Sequence, residues 1–325
     1  MNIDNKILDN INKHLFVKEY EKKMYGEVFT STDIIFDMIS KLPKHVFYNH
    51  RYKWLDPACG VGNYSIIIYY KLMECLKNKF KNDTICSKYI IENMIYMIEI
   101  NPNNVKTAKS IFKKINKNAK INISNSDFIN EDTKWEKDLN MNKTKFNIII
   151  SNPPFQKPNK TDSTKLSTKP LYDKFVIKAF DYLYDDGFLS FIHPVSWRRV
   201  SKEIKILPFF LNKKVLYLYT NNNYKGFGKS APLINYYVIQ NSKNTQNVTD
   251  YDTFFDGIKY SGKLILSNQF KFIPMLLSKE VTNILNKKLL KQNNKLNIQL
   301  HSRISSSKRN SMSLKKNKEY KYKNI

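Results

Sequence analysis

Four consecutive residues, Asn152-Pro153-Pro154-Phe155, are of the types needed to act on a planar amino nitrogen. The two prolines fix the backbone and remove two amide donors, which leaves nearby carbonyl oxygens for a ligand. An amino group on an aromatic ring delocalises its lone pair into the ring and is a poor nucleophile. Two acceptors for its hydrogens, the Asn152 side-chain oxygen and the Pro153 carbonyl, would localise that pair on nitrogen. The nitrogen can then attack an electrophilic carbon directly, without a covalent enzyme intermediate, a metal or a strong base, and positioning supplies most of the acceleration. Phe155 offers a flat face for stacking a base swung out of a duplex, where the amino group cannot otherwise be reached.

A second set of residues suits the electrophile. The run Leu55-Asp56-Pro57-Ala58-Cys59-Gly60-Val61-Gly62-Asn63-Tyr64 reads as a strand end, a tight turn and a helix start. Gly60 and Gly62 let the backbone turn sharply and come close to a ligand. Glu99, with Ile100 beside it, closes the next strand and is placed to accept both hydroxyls of a ribose. A dinucleotide is the competing ligand, but the third glycine of that fingerprint is missing, and Asp56-Pro57 occupies the strand end. A sulfonium nucleoside, S-adenosylmethionine, fits better: Asp56 would attract its amino group and sulfonium, with Pro57 and Ala58 lining the turn. Asp127 would take the adenine amino group while Phe128 packs on the ring. Upstream, Phe29-Thr30 could close over the cofactor. Lys157 and Lys160 lie in the polar segment 156–170, which reads as a mobile, substrate-contacting loop.

These groups need a scaffold that brings strand ends together. Apolar runs at Tyr52–Pro57, Met94–Ile100, Ile121–Asn125, Phe146–Ser151, Phe188–His193, Val215–Thr220 and Ile234–Gln240 read as seven strands. Helical patterns at 63–80, 102–118, 170–185 and 197–212 separate them, which predicts parallel strands with crossover helices in an α/β, Rossmann-like sheet. Before it, residues 1–23 read as a helical extension and Thr32-Asp33 caps a helix ended by Pro43. After residue 241 the pattern changes to a hairpin around Asp256-Gly257 and a helix near 276–291, a small α+β region. Three parts are expected: an extension at 1–23, the catalytic domain at 24–241, and a shortened target-recognition region at 242–325.

Composition narrows the partners. With Lys+Arg 55 against Asp+Glu 28, the net charge of +27 suits a polyanion such as nucleic acid. A coding bias toward A- and T-rich codons would produce the same excess, since lysine, asparagine and isoleucine dominate the chain. The three cysteines, Cys59, Cys75 and Cys86, form no metal-binding spacing, so reduced thiols and no zinc or other metal are expected. No apolar run approaches the roughly 18 residues of a membrane span. No secretory signal pattern opens the chain, which reads as an intracellular, cytoplasmic protein without a membrane partner.

Taken together, the motifs resemble the N6-adenine DNA methyltransferases of restriction-modification systems over about residues 24–241. Asp56 to Tyr64 is similar to the family's first motif, DPACGxGxF, and Asn152 to Phe155 to its catalytic [DNS]PP[YFW]. The order, cofactor motifs first and recognition region last, is similar to the gamma arrangement. Phe29-Thr30-Ser31 resembles the upstream FTP motif with serine in place of proline. Leu171-Tyr172-Asp173-Lys174-Phe175 resembles the segment lining the adenine pocket, which implies Tyr172 and Phe175 as substrate contacts. Gly187 to Trp197 resembles the next strand motif and Tyr224 to Tyr237 the last. The resemblance implies a class I S-adenosylmethionine-dependent fold and site-specific methylation of adenine in double-stranded DNA by a monomer, with a cognate restriction endonuclease encoded separately. Methyltransferases of RNA adenine and of protein glutamine share the NPP-aromatic tetrapeptide, and an inactive DNA-binding remnant is a third alternative.

Overall fold

The computed structural model describes residues 30–285 apart from 142–143, 159–165, 200–205, 222–232, 244–246, 256, 267–269 and 271. Its strands are β1 (Trp54–Asp56), β2 (Ile95–Glu99), β3 (Ile123–Asn125), β4 (Phe146–Ser151), β5 (Gln156–Pro158), β6 (Leu166–Pro170), β7 (Leu183–Pro194), β8 (Lys213–Asn221), β9 (Ile234–Lys243), β10 (Asn247–Phe255) and β11 (Ile258–Leu266). Its α-helices are α1 (Thr32–Ser40), α2 (Asn63–Leu76), α3 (Asp83–Tyr89), α4 (Pro102–Ile115), α5 (Asp132–Asp138), α6 (Tyr172–Asp181), α7 (Ile206–Leu211) and α8 (Lys279–Ile284). The expected helix at 1–23 lies outside the described residues, as do most of Tyr224 to Tyr237 and the tail beyond 285.

Side chains alternate between two cores, and this alternation builds the layers. Trp54, Met97, Ile148 and Ile150 face α1 to α4, where they meet Ile34, Met38, Ile66, Cys86 and Phe112. Their neighbours Leu55, Ile98 and Ile149 face the opposite way, toward Trp135 of α5, Val176 of α6 and Phe210 of α7. Strands buried on both faces need helices on both, hence the apolar runs in the sequence. Each fully buried aliphatic or aromatic side chain of this size contributes about 1.5–3 kcal/mol.

The sheet order is β11-β10-β8-β9-β7-β4-β1-β2-β3. From β3 to β7 all pairings are parallel, and β9 lies antiparallel between β7 and β8. The expected strand count of seven is corrected to nine: β10 pairs parallel with β8, and β11 returns antiparallel beside it. Residues 247–266 thus lengthen the same sheet. The two strands pair as the expected hairpin, with Phe255 opposite Ile258 and Gly257 at φ 82. One further difference concerns the connections: the segment 156–170, expected without regular structure, contains the antiparallel pair β5 and β6. The helical pattern at 63–80 is met by α2 and the 3-10 turn Lys77–Lys79 that continues it. No helix among the described residues is long and apolar enough to cross a membrane.

Candidate active site

Strand order reverses direction at β1, with β2 on one side and β4 on the other. In open α/β sheets the crevice at such a point, outside the carboxyl ends of the strands, is where ligands bind. Register brings the carboxyl ends of four strands to this edge: Asp56 pairs with Met97, Glu99 with Asn125, and Leu55 with Ile149 two residues before Ser151. Asp56, Glu99, Ser151 and Asn152 therefore share one rim.

The turn after β1 requires its glycines for conformation. Gly60 has φ 56 and Gly62 φ 93, both left-handed. A Cβ on Gly62 would meet Ala108 and Phe112 at an ordinary 3.6 Å, so backbone strain, not lack of space, excludes a side chain. Glu99 braces this turn: Oε2 accepts from Gly60 N–H at 2.8 Å and Oε1 from Asn101 N–H at 2.7 Å. Each carboxylate oxygen has a second lone pair, so Glu99 can hold the turn and still accept from a ligand hydroxyl. Ile100 beside it is exposed.

Asp56 is 2% exposed. Its Oδ1 accepts from Ser151 Oγ at 2.6 Å and from Ala58 N–H at 3.3 Å, while Oδ2 has no hydrogen-bond partner among the described residues. Burial pushes its carboxyl up to about 7, against the pull of those two donors. A buried carboxylate with one oxygen unused fits the ammonium and sulfonium of S-adenosylmethionine, whose charge would favour the ionised form. The braced turn and the Glu99 carboxylate fit its nucleoside end.

Asp127 lies one turn beyond β3. Its Oδ1 accepts from Ile129 N–H at 2.8 Å and its Oδ2 from Asn130 Nδ2 at 2.5 Å, so it organises its own turn. Phe128, whose ring was expected against an adenine, is 1% exposed and packs on Trp135, Phe175 and Tyr182. The two residues expected to line an adenine pocket, Tyr172 and Phe175, are also buried. Tyr172 is buried, stacked on His193 with ring centroids 4.2 Å apart and its hydroxyl 2.6 Å from Ser196 Oγ, and Phe175 is buried against Phe128. Both lie on the inner face of α6. Phe29 and Lys160 lie outside the described residues, as does the side chain of Lys157.

The tetrapeptide leaves β4 directly after Ser151. Asn152 Nδ2 donates to Thr30 Oγ1 at 3.0 Å, Pro153 is buried, Pro154 and Phe155 are half-buried, and the Phe155 carbonyl accepts from Leu171 N–H at 3.0 Å. Sequence reasoning missed two residues near this edge. His193, at the end of β7, is buried with Nε2 2.9 Å from the Tyr237 hydroxyl, and burial pushes its pKa down to about 3, so it is neutral. Ser151 links the tetrapeptide to Asp56. A polar residue ending an otherwise apolar strand was the available signal for both. Among the described residues no group of three or more His, Cys, Asp or Glu could hold a metal, and the three cysteines are free.

Residues 91–227 match the family model described as Eco57I restriction-modification methylase. A curated relative, an uncharacterized adenine-specific methylase of Mycoplasma pneumoniae, is 28% identical over 127 residues, covering 31% of this chain and 29% of the relative. Among solved structures, the EcoKI M protein of a type I restriction enzyme superposes with TM-score 0.52 at 16% identity, covering 71% of this chain and 48% of that one. The type IIL restriction-modification enzyme MmeI, solved with DNA, gives 0.54 at 16% identity over 76% and 41%. A Listeria monocytogenes protein assigned as a class I S-adenosylmethionine-dependent methyltransferase gives 0.50 at 14% identity over 78% and 74%. These structural likenesses establish the fold, and the chain spans under a third of the curated relative and under half of EcoKI M and MmeI. The chain thus matches the Eco57I restriction-modification methylase model over residues 91–227, resembles the N6-adenine methyltransferases of restriction-modification systems, and has the class I methyltransferase fold.

Proposed function

We propose that this chain methylates the exocyclic amino nitrogen of adenine in double-stranded DNA, with S-adenosylmethionine as donor, as the modification enzyme of a restriction-modification system. The observation that carries this reading is the direct link from Asn152 through its neighbour Ser151 to the buried Asp56. It sets an acceptor for amino hydrogens beside a site suited to a sulfonium cation. The cofactor supplies the methyl group as an electrophile when bound. Asp56 holds its charged end, and Glu99 and the Gly60–Gly62 turn hold its nucleoside. Asn152 Oδ1 and the Pro153 carbonyl accept the two amino hydrogens and localise the lone pair, and Phe155 stacks the extruded base. Two of the parts first assigned to ring contacts, Phe128 and Phe175, act in this reading through packing behind the site.

DNA as the polymer is supported by the family match, by the adenine-specific naming of the curated relative, and by the charge of +27. A separately encoded nuclease is the partner that follows, and an intracellular location follows from the substrate. Residues 24–241 would form the catalytic unit, and the segment after 241, including the β10–β11 hairpin, would carry target recognition. Offering DNA, RNA and release-factor protein to the full chain with methyl-labelled cofactor tests the reading: label in DNA supports it. Label only in RNA or protein, or cofactor binding without transfer to any of them, refutes it.

A further inference from the structure

The reactive asparagine is held by a residue from the far end of the described chain. Thr30, which is 3% exposed, precedes α1, and its Oγ1 accepts from Asn152 Nδ2 at 3.0 Å. The same oxygen receives the Tyr64 hydroxyl at 3.3 Å. Tyr64 stands in the first turn of α2, directly after the glycine turn, and its hydroxyl also lies 3.3 Å from Met38 Sδ of α1. The asparagine, the start of α1 and the cofactor turn are therefore joined through one hydroxyl oxygen.

That junction matters because a primary amide has two unlike ends. Half a turn about its last bond exchanges an acceptor for a donor at almost no change in shape. Only one orientation serves transfer to an amino group. The oxygen must meet the amino hydrogen, since the nitrogen in its place would set donor against donor. Thr30 Oγ1, which receives the Tyr64 hydroxyl as well, takes the amide nitrogen and so leaves Oδ1 at the other end of the amide. We propose that Thr30 is a positioning residue that, by accepting Asn152 Nδ2, fixes the amide so that Oδ1 is presented to the substrate amino group, with Tyr64 steadying Thr30. This rests on the role given to Asn152 above, and it replaces the cofactor contact that the sequence suggested for Thr30.

The test uses the full chain, labelled S-adenosylmethionine and DNA from cells lacking adenine methylation, and compares Thr30→Val, Thr30→Ser, Tyr64→Phe and Asn152→Ala. Valine keeps the shape and loses the acceptor, whereas serine keeps the acceptor. Thr30→Val lowers kcat by about tenfold or more, as loss of one orienting hydrogen bond does, with KM and cofactor Kd within about twofold. Thr30→Ser returns kcat to within about threefold of the parent. Wild-type kcat in Thr30→Val overturns the proposal, as does equal impairment of the serine variant or a loss that follows cofactor Kd. Should Thr30→Val not fold, Tyr64→Phe decides: a fall of about threefold in kcat at unchanged cofactor Kd supports the proposal, and unchanged kcat overturns it. If Asn152→Ala also retains turnover, the reading of the asparagine itself fails. If Asn152→Ala is inactive while Thr30→Val is normal, only the role of Thr30 falls.

Discussion

Cofactor affinity should depend on pH through Asp56, because its carboxyl is pushed up to about 7 by burial and must be ionised to hold a cation. A group titrating there is about nine-tenths ionised at pH 8, half at pH 7 and about one-tenth at pH 6. If only the ionised form holds the cofactor's charged end, Kd weakens about tenfold between pH 8 and pH 6. Isothermal titration of S-adenosylmethionine at the two pH values, at fixed ionic strength, reads this directly. Asp56→Asn provides the reference, because the ligand's own titration is common to both proteins: the extra pH dependence should vanish and affinity should lie at or below the parent's pH 6 value. The same shift has a consequence for stability, and its sign is opposite to that of a surface carboxylate. The folded pKa lies above the unfolded value of 3.8, so the ligand-free fold holds the proton more tightly. Stability should fall as pH rises from about 4 to about 7, by an amount on the order of 4 kcal/mol at most. Urea unfolding of the ligand-free protein should therefore show Asp56→Asn gaining on the parent as pH rises. Equal pH slopes for parent and variant in both measurements would refute the reasoning.

Three further outcomes follow from the geometry. Glu99→Ala removes the acceptor of Gly60 N–H and Asn101 N–H, and should weaken cofactor binding about tenfold to a hundredfold in the same titration. Gly62→Ala forces a side chain into φ 93 and should cost about 1–2 kcal/mol in urea unfolding, with the loss tracking strain rather than a clash. Phe128→Ala should cost about 3–5 kcal/mol of stability and leave the cofactor Kd of the folded fraction unchanged, whereas a ring packed on adenine would give the reverse.

The sequence made the strands from Trp54 to Ile239 legible because a sheet covered by helices on both faces buries most residues of its strands, and apolar runs are the result. The glycine turn was legible because left-handed backbone selects glycine. What local pattern could not decide was which way an aromatic points. Phe128 follows Asp127 at a strand end, as a ring contact would, but α5 and α6 close over it. Tyr172 and Phe175 stand three residues apart on one helix face, the spacing of a buried stripe, and that spacing outweighs their place in a motif. The strands β10 and β11 were expected as a hairpin of a separate region and not as part of the main sheet, because their apolar residues alternate with Asp, Thr, Ser and Lys and leave no continuous run. The Thr30–Asn152 bond spans most of the domain, and no local pattern encodes it.

The central claim is that Asn152 directs a methyl group to the amino nitrogen of adenine in DNA. Its most direct test is to incubate the chain with unmethylated DNA and labelled S-adenosylmethionine, digest the DNA to nucleosides and identify the labelled one by mass. The account predicts N6-methyl-2′-deoxyadenosine from the parent and none from Asn152→Ala at retained cofactor affinity. Label on cytosine, or the same yield from Asn152→Ala, would contradict it.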